Sequence, residues 1–121
     1  MRYLRTLALP ALAASCLCLG GCRSAFVQTA IVNHSGDKAQ LIEVDYPSAS
    51  FGTQQIADNA TYHYKFKIQG SGPVKITFTG AENKIYTVTG PNLDQGQRGT
   101  LIITLDPSGK VSWTPELAVA K

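Results

Sequence analysis

Apolar residues recur at every second position along much of this chain. Val74, Ile76 and Phe78 alternate with Lys75, Thr77 and Thr79, while Tyr62, Tyr64, Phe66 and Ile68 alternate with His63, Lys65 and Lys67. A period of two is what a strand with one buried face requires. Further segments rich in β-branched residues are Phe26 to Asn33, Gln40 to Tyr46, Ser50 to Ile56, Lys84 to Thr89, Gly99 to Leu105 and Lys110 to Thr114, separated by Gly, Pro, Asn and Asp. No stretch of helix length carries a period of 3.6. The pattern predicts an all-β, antiparallel two-sheet β-sandwich of the immunoglobulin-like, Greek-key kind, with about seven or eight strands.

The connections carry turn chemistry. Asp106-Pro107-Ser108-Gly109 places Pro second and Gly fourth, as a type I turn prefers, and so predicts a hairpin between the last two strands. Ala81-Glu82-Asn83, between Gly80 and Lys84, reads as a second hairpin connection. Gly70-Ser71-Gly72-Pro73 reads as a flexible link whose proline can open a strand. His34-Ser35-Gly36-Asp37-Lys38 is a loop of the same kind. Trp113 alternates in phase with Val111 and is expected to plug the core under the last strand. After Pro115 the chain is expected to fray.

The N-terminus follows a different pattern. Arg2 and Arg5 precede an apolar stretch from Thr6 to Leu19, too short to cross a bilayer core of about 30 Å as a stable helix. This order is that of a signal peptide. Leu19-Gly20-Gly21-Cys22 then resembles the bacterial lipobox, in which a large apolar residue and two small ones precede a cysteine whose thiol takes a diacylglyceryl group. The resemblance implies cleavage before Cys22, with Leu19, Gly20 and Gly21 as the cleavage motif and Cys22 as the lipidated N-terminus. Two or three acyl chains then hold the protein on a membrane, at about 0.8 kcal/mol per buried methylene. In Gram-negative lipoproteins an aspartate after the cysteine retains the protein at the inner membrane. Arg23 stands there, which implies the outer membrane with the domain facing the periplasm. The expected organisation is a signal peptide over 1–21, a lipidated tether over 22–25, the sandwich over 26–114 and a tail over 115–121.

Composition fits one small domain. Of 121 residues 44% are hydrophobic and 16% charged, and the portion after the leader supports one modest core. The cysteines are Cys16, Cys18 and Cys22, so the mature domain holds no disulfide, and the Cys16-x-Cys18 pair reads as filler of the apolar stretch. The formal charge of +3 falls once Arg2 and Arg5 are removed, leaving nine basic against eight acidic residues. No nucleic-acid footprint is expected from that balance.

Ile42-Glu43-Val44-Asp45-Tyr46-Pro47, Tyr62-His63-Tyr64-Lys65-Phe66-Lys67-Ile68 and Gly99-Thr100-Leu101-Ile102-Ile103-Thr104-Leu105 together resemble small, uncharacterised bacterial exported lipoproteins built on one immunoglobulin-like or transthyretin-like sandwich. The resemblance covers most of residues 26 to 114 and transfers no active site. A more distant similarity is to the outer-membrane adaptor lipoprotein of type VI secretion, for which the mature chain is short.

Candidate chemistry is sparse. Glu43 and Asp45 lie two apart on a strand, with carboxylates about 7 Å from each other, a spacing that suits an acid and base pair but equally a solvated face opposite lysines. His63, Lys65 and Lys67 share a face that can bind an anion such as a lipid headgroup or lipopolysaccharide phosphate, or simply discourage edge aggregation. His34 and His63 are the only histidines, too few for a zinc site without scattered carboxylates. Ser35, Ser48, Ser50, Ser71 and Ser108 sit in turn contexts, and Gly96-Gln97-Arg98-Gly99 lacks the lysine of a phosphate loop. Tyr46 and Phe51 flank a small polar connection that reads as a partner-binding loop if Phe51 is exposed, with Tyr46 in phase for the core. The expectation is a non-enzymatic, membrane-anchored binding or envelope-assembly module without catalytic residues, metal or cofactor, whose partner is another envelope protein. A carbohydrate-binding accessory or envelope enzyme, and a secretion-system adaptor, are the alternatives.

Overall fold

A computed structural model describes residues 25–119. The signal peptide, the Leu19-Gly20-Gly21-Cys22 motif and the last two residues of the tail lie outside the described residues. Eight strands follow one another: β1 (Val27–Asn33), β2 (Ala39–Tyr46), β3 (Ala49–Ile56), β4 (Thr61–Phe66), β5 (Gly72–Thr79), β6 (Ile85–Leu93), β7 (Gln97–Leu105) and β8 (Val111–Val119). They form two four-stranded sheets, β4-β1-β7-β8 and β3-β2-β5-β6. The all-β two-sheet sandwich expected from the period-two pattern is what the chain forms.

Alternation places each side chain. In β1, Val27, Thr29, Ile31 and Asn33 are buried and the residues between them face outward. Val74, Ile76 and Phe78 do the same for β5, and Leu101, Ile103 and Leu105 for β7. Burying such side chains is worth roughly 1.5 to 3 kcal/mol each, which gives the sheets their reason to stack. Thr29 and Asn33 are the polar intruders in β1, and the Thr29 hydroxyl donates to the Leu101 carbonyl at 2.8 Å.

The pairing departs from the expected plan in two respects. β1 runs parallel to β7, whereas every other neighbouring pair is antiparallel. A parallel pair needs a long crossover, and here the five intervening strands supply it. In addition, β1 and β2 occupy different sheets, while the immunoglobulin arrangement keeps the first two strands together. The chain leaves β1 through the His34 to Lys38 loop and enters the opposite layer, so the two cannot pair.

Both hairpins stand where the turn residues place them, but the β7–β8 turn is not of the expected type I. Ser108 (φ 65°, ψ 27°) and Gly109 (φ 78°) are both left-handed, as are Glu82 (φ 59°, ψ 27°) and Asn83 (φ 58°) in the β5–β6 turn. These are mirror-image turns, whose twist matches that of the flanking strands where a type I turn would splay them. Gly109 is required twice over, because a Cβ there would run into the ring of Tyr86.

One further expectation is corrected and one is refined. The chain does not fray after Pro115. β8 continues to Val119, with Pro115 opposite Leu101 and Val119 opposite Gln97; an edge strand tolerates a proline whose missing N–H costs no ladder bond on its open side. Trp113 packs against the core as its phase implied, but is half-buried and not fully enclosed. It closes the seam between β8 and β6, where a Cβ on Gly90 would sit 2.6 Å from its ring.

Candidate functional site

The register sorts the molecule into two ends. At the Val27 end lie the start of β1, the end of β4 (Val27 opposite Phe66), the start of β7 (Val27 opposite Gly99) and the end of β8 (Gly99 opposite Leu117). At the Asn33 end lie the His34 to Lys38 loop and both mirror-image turns.

The Asn33 end is held by one side chain. Asn33 is fully buried, and its amide donates to the carbonyls of Asp37 at 2.8 Å and Ile56 at 2.9 Å. Its side-chain oxygen accepts from the Ser35 backbone N–H at 3.0 Å and from the Ser35 hydroxyl at 2.7 Å. One asparagine therefore stitches the β1–β2 loop to the end of β3. Ser35 acts as the turn hydrogen-bonder expected of it.

The anionic-ligand candidates His63, Lys65 and Lys67 are all exposed. His63 and Lys65 lie on the outer face of β4, opposite Ala30 and Gln28 of β1, and Lys67 follows the end of that strand. The register adds neighbours that the sequence did not single out. Gln28 is opposite Thr100 and Thr100 opposite Glu116, so Lys65, Gln28, Thr100 and Glu116 form one row across the sheet. Arg98, half-buried, precedes Gly99 in β7, and Phe26, 37% exposed, precedes β1. The Phe26 carbonyl accepts from the Gly99 N–H at 3.2 Å, and the Lys65 ammonium lies 4.9 Å from the centre of the Phe26 ring, within cation–π range. These residues line a shallow, open groove. Gly99 (φ 133°) lets β8 approach, since a Cβ there would strike the Glu116 carbonyl. Strand periodicity found Lys65 and Lys67; only cross-strand register brings in Arg98 and Phe26.

The partner-loop expectation fares differently. Phe51 is buried, at 7% exposure, so the loop does not present two exposed aromatics. It stacks on Tyr64 at 4.2 Å between ring centres and 12° between planes, and Tyr46 lies 4.2 Å from Phe66. Tyr46 is half-buried and packs on the core, as its phase implied. Burial, and then the neighbouring Tyr64 charge, push its phenol pKa above the ordinary 10.0. The two edge strands β3 and β4 thus close their side of the sandwich with aromatic rings, which is why Phe51 is taken inward.

Glu43 and Asp45 lie on the outer face of the other sheet, opposite Thr77 and Lys75, with a lysine across the strand as a solvated face has. His34 follows β1 and His63 sits within β4, so the two histidines belong to separate elements. Among the described residues no three His, Cys, Asp or Glu side chains are grouped to hold a metal ion, and no helix is long and apolar enough to cross a membrane.

No protein family matches this chain, and no curated protein does. Among solved structures, the NMR structure of a protein from Eubacterium rectale is similar in fold: 12% identity, a TM-score of 0.55, and coverage of 74% of this chain and 86% of that one.

Proposed function

We propose that the protein is a bacterial lipoprotein, anchored through acylated Cys22 and carrying a non-enzymatic binding or assembly module on the periplasmic side of the outer membrane. The observation that carries this reading is the close succession of two signals. Leu19-Gly20-Gly21-Cys22 has the order of a lipobox, and Val27, already fully buried in the middle of a sheet, follows five residues later. A leader that ends where the fold begins is what an anchor-plus-domain architecture needs. Placing the first two strands in different sheets favours the transthyretin-like form of the exported sandwich over the immunoglobulin-like one. The Asn33 end, with its two tight turns and a loop pinned by a buried asparagine, offers preformed contacts to another envelope protein at low entropic cost. Cys22→Ser tests the anchor: the variant is expected to accumulate as uncleaved precursor without acyl label. Normal cleavage of the variant would refute the reading.

A further inference from the structure

Three surface features of the sandwich stand outside its core packing. The recess between the two mirror-image turns, lined by Tyr86, Asp37 and Asp106, has no buried unpartnered group aimed into it. The exposed Leu41, left-handed at φ 49° in a bulge of β2, has nothing beside it that selects a partner. The Val27 end of the β4-β1-β7-β8 sheet carries more.

We infer that the outer face of this sheet at the Val27 end is a membrane-contacting surface that lies on anionic phospholipid headgroups of the leaflet holding the anchor, through Lys65, Lys67 and Arg98 with Phe26 at its centre. The inference rests on the lipidation of Cys22 and adds an orientation and a lipid class to it.

Reach comes first. Five residue steps separate Cys22 from Val27, and an extended chain spans at most about 3.6 Å per residue, so β1 starts within about 18 Å of the acylated cysteine. The Val27 end is therefore within reach of the headgroup layer, and the Asn33 end lies a strand length farther from the anchor. Charge comes second. This face carries Lys65, Lys67 and Arg98 against one acid, Glu116; Asp94 lies beyond it in the β6–β7 turn, and Asp45 is on the other sheet opposite Lys75. Attraction to an anionic leaflet falls off within a Debye length, about 8 Å at physiological salt, a distance the tether allows these cations to reach. Apolar chemistry is third. Phe26 is partly exposed beneath the Lys65 ammonium, and an aromatic ring flanked by cations suits the bilayer interface, where ring and charge are both accommodated.

The test uses the mature protein reconstituted into vesicles of phosphatidylcholine alone or mixed with phosphatidylglycerol, with amide hydrogen exchange as the readout. β4 is an edge strand, so its outward amides respond to anything that covers them. Exchange over residues 61–67 and 97–100 is expected to slow severalfold on the anionic vesicles relative to the neutral ones, with no change in the turns at the Asn33 end. Raising salt from about 0.1 M to about 1 M, where the Debye length shrinks from about 10 Å to about 3 Å, is expected to abolish the difference. The combined Lys65→Gln, Lys67→Gln and Arg98→Gln variant is expected to lose it, and the charge-preserving Lys65→Arg, Lys67→Arg and Arg98→Lys variant to keep it. Equal exchange on the two vesicles, or a difference that survives in the glutamine variant, overturns the proposal. The anchor is read separately from the mass of the Cys22 peptide. A chain found without acyl groups is put through the same comparison by co-sedimentation, so that face and anchor succeed or fail independently.

Discussion

Asn33 shows how much one buried polar side chain can hold. With no exposure, it uses both amide hydrogens and its oxygen, and its own N–H donates to the Ala60 carbonyl at 2.9 Å. Asn33→Ala strands the Ile56 carbonyl and removes the acceptor of the Ser35 turn, and a buried polar group left unpaired costs about 1 to 3 kcal/mol. A loss of about 3 kcal/mol is expected in urea unfolding, a large part of the 5 to 15 kcal/mol that native domains possess; a loss below about 1 kcal/mol would show that water takes over its bonds. Tyr46 makes a prediction in pH. Its folded-state pKa is raised by burial above 10.0, so the folded chain holds the phenolic proton more tightly than the unfolded one. The stability this contributes is fully present below pH 10 and is lost as pH rises through the folded-state value. Tyr46→Phe is therefore expected to weaken the alkaline fall in stability between pH 9 and 12, read by thermal unfolding. The inward phase of Tyr46 was legible in the sequence, but the role of Asn33 was not: it reads as a strand-ending polar residue, and only the meeting of two loops around it reveals its work.

At the scale of elements, the strands were legible because a period of two is a direct consequence of having one buried face. All eight expected segments are strands, and the longest differences are at their ends. What was not legible is whatever depends on the second strand of a pair. The parallel pairing of β1 with β7 follows from where the chain re-enters the sheet after five intervening strands. The continuation of β8 past Pro115 depends on β7 offering Gln97 to Leu101 as partners. The turn type depends on the twist of both flanking strands, which overrode the preference of Pro107 and Gly109 for a type I turn. That override leaves Ser108 in a left-handed conformation costing a non-glycine residue about 1 to 2 kcal/mol, less for asparagine. Ser108→Asn, giving the Asn-Gly pair favoured in such turns, is expected to stabilise the protein by roughly 0.5 to 1 kcal/mol, a rise in Tm of about 2 to 8 °C. Gly109→Ala is expected to do the opposite, through its φ of 78° and the Tyr86 ring in its path.

For the whole molecule, the candidate face was half legible. Alternation gave Lys65 and Lys67 one side of β4, but Arg98 is 33 positions from Lys65 in the chain and Phe26 nearly 40, and only the β4-β1-β7 order brings them to one end. Packing of β3 against β4 across the two sheets turned Phe51 into the core, where it stacks on Tyr64. The proposed anchor at Cys22 places a membrane within reach of the start of the fold. The measurement that tests it most directly is the intact mass of the protein extracted from the membranes of its own cells. A chain starting at Cys22 and carrying a thioether-linked diacylglyceryl group with an acylated amine is predicted, whereas a chain starting at another residue, or at Cys22 without acyl groups, would contradict the account.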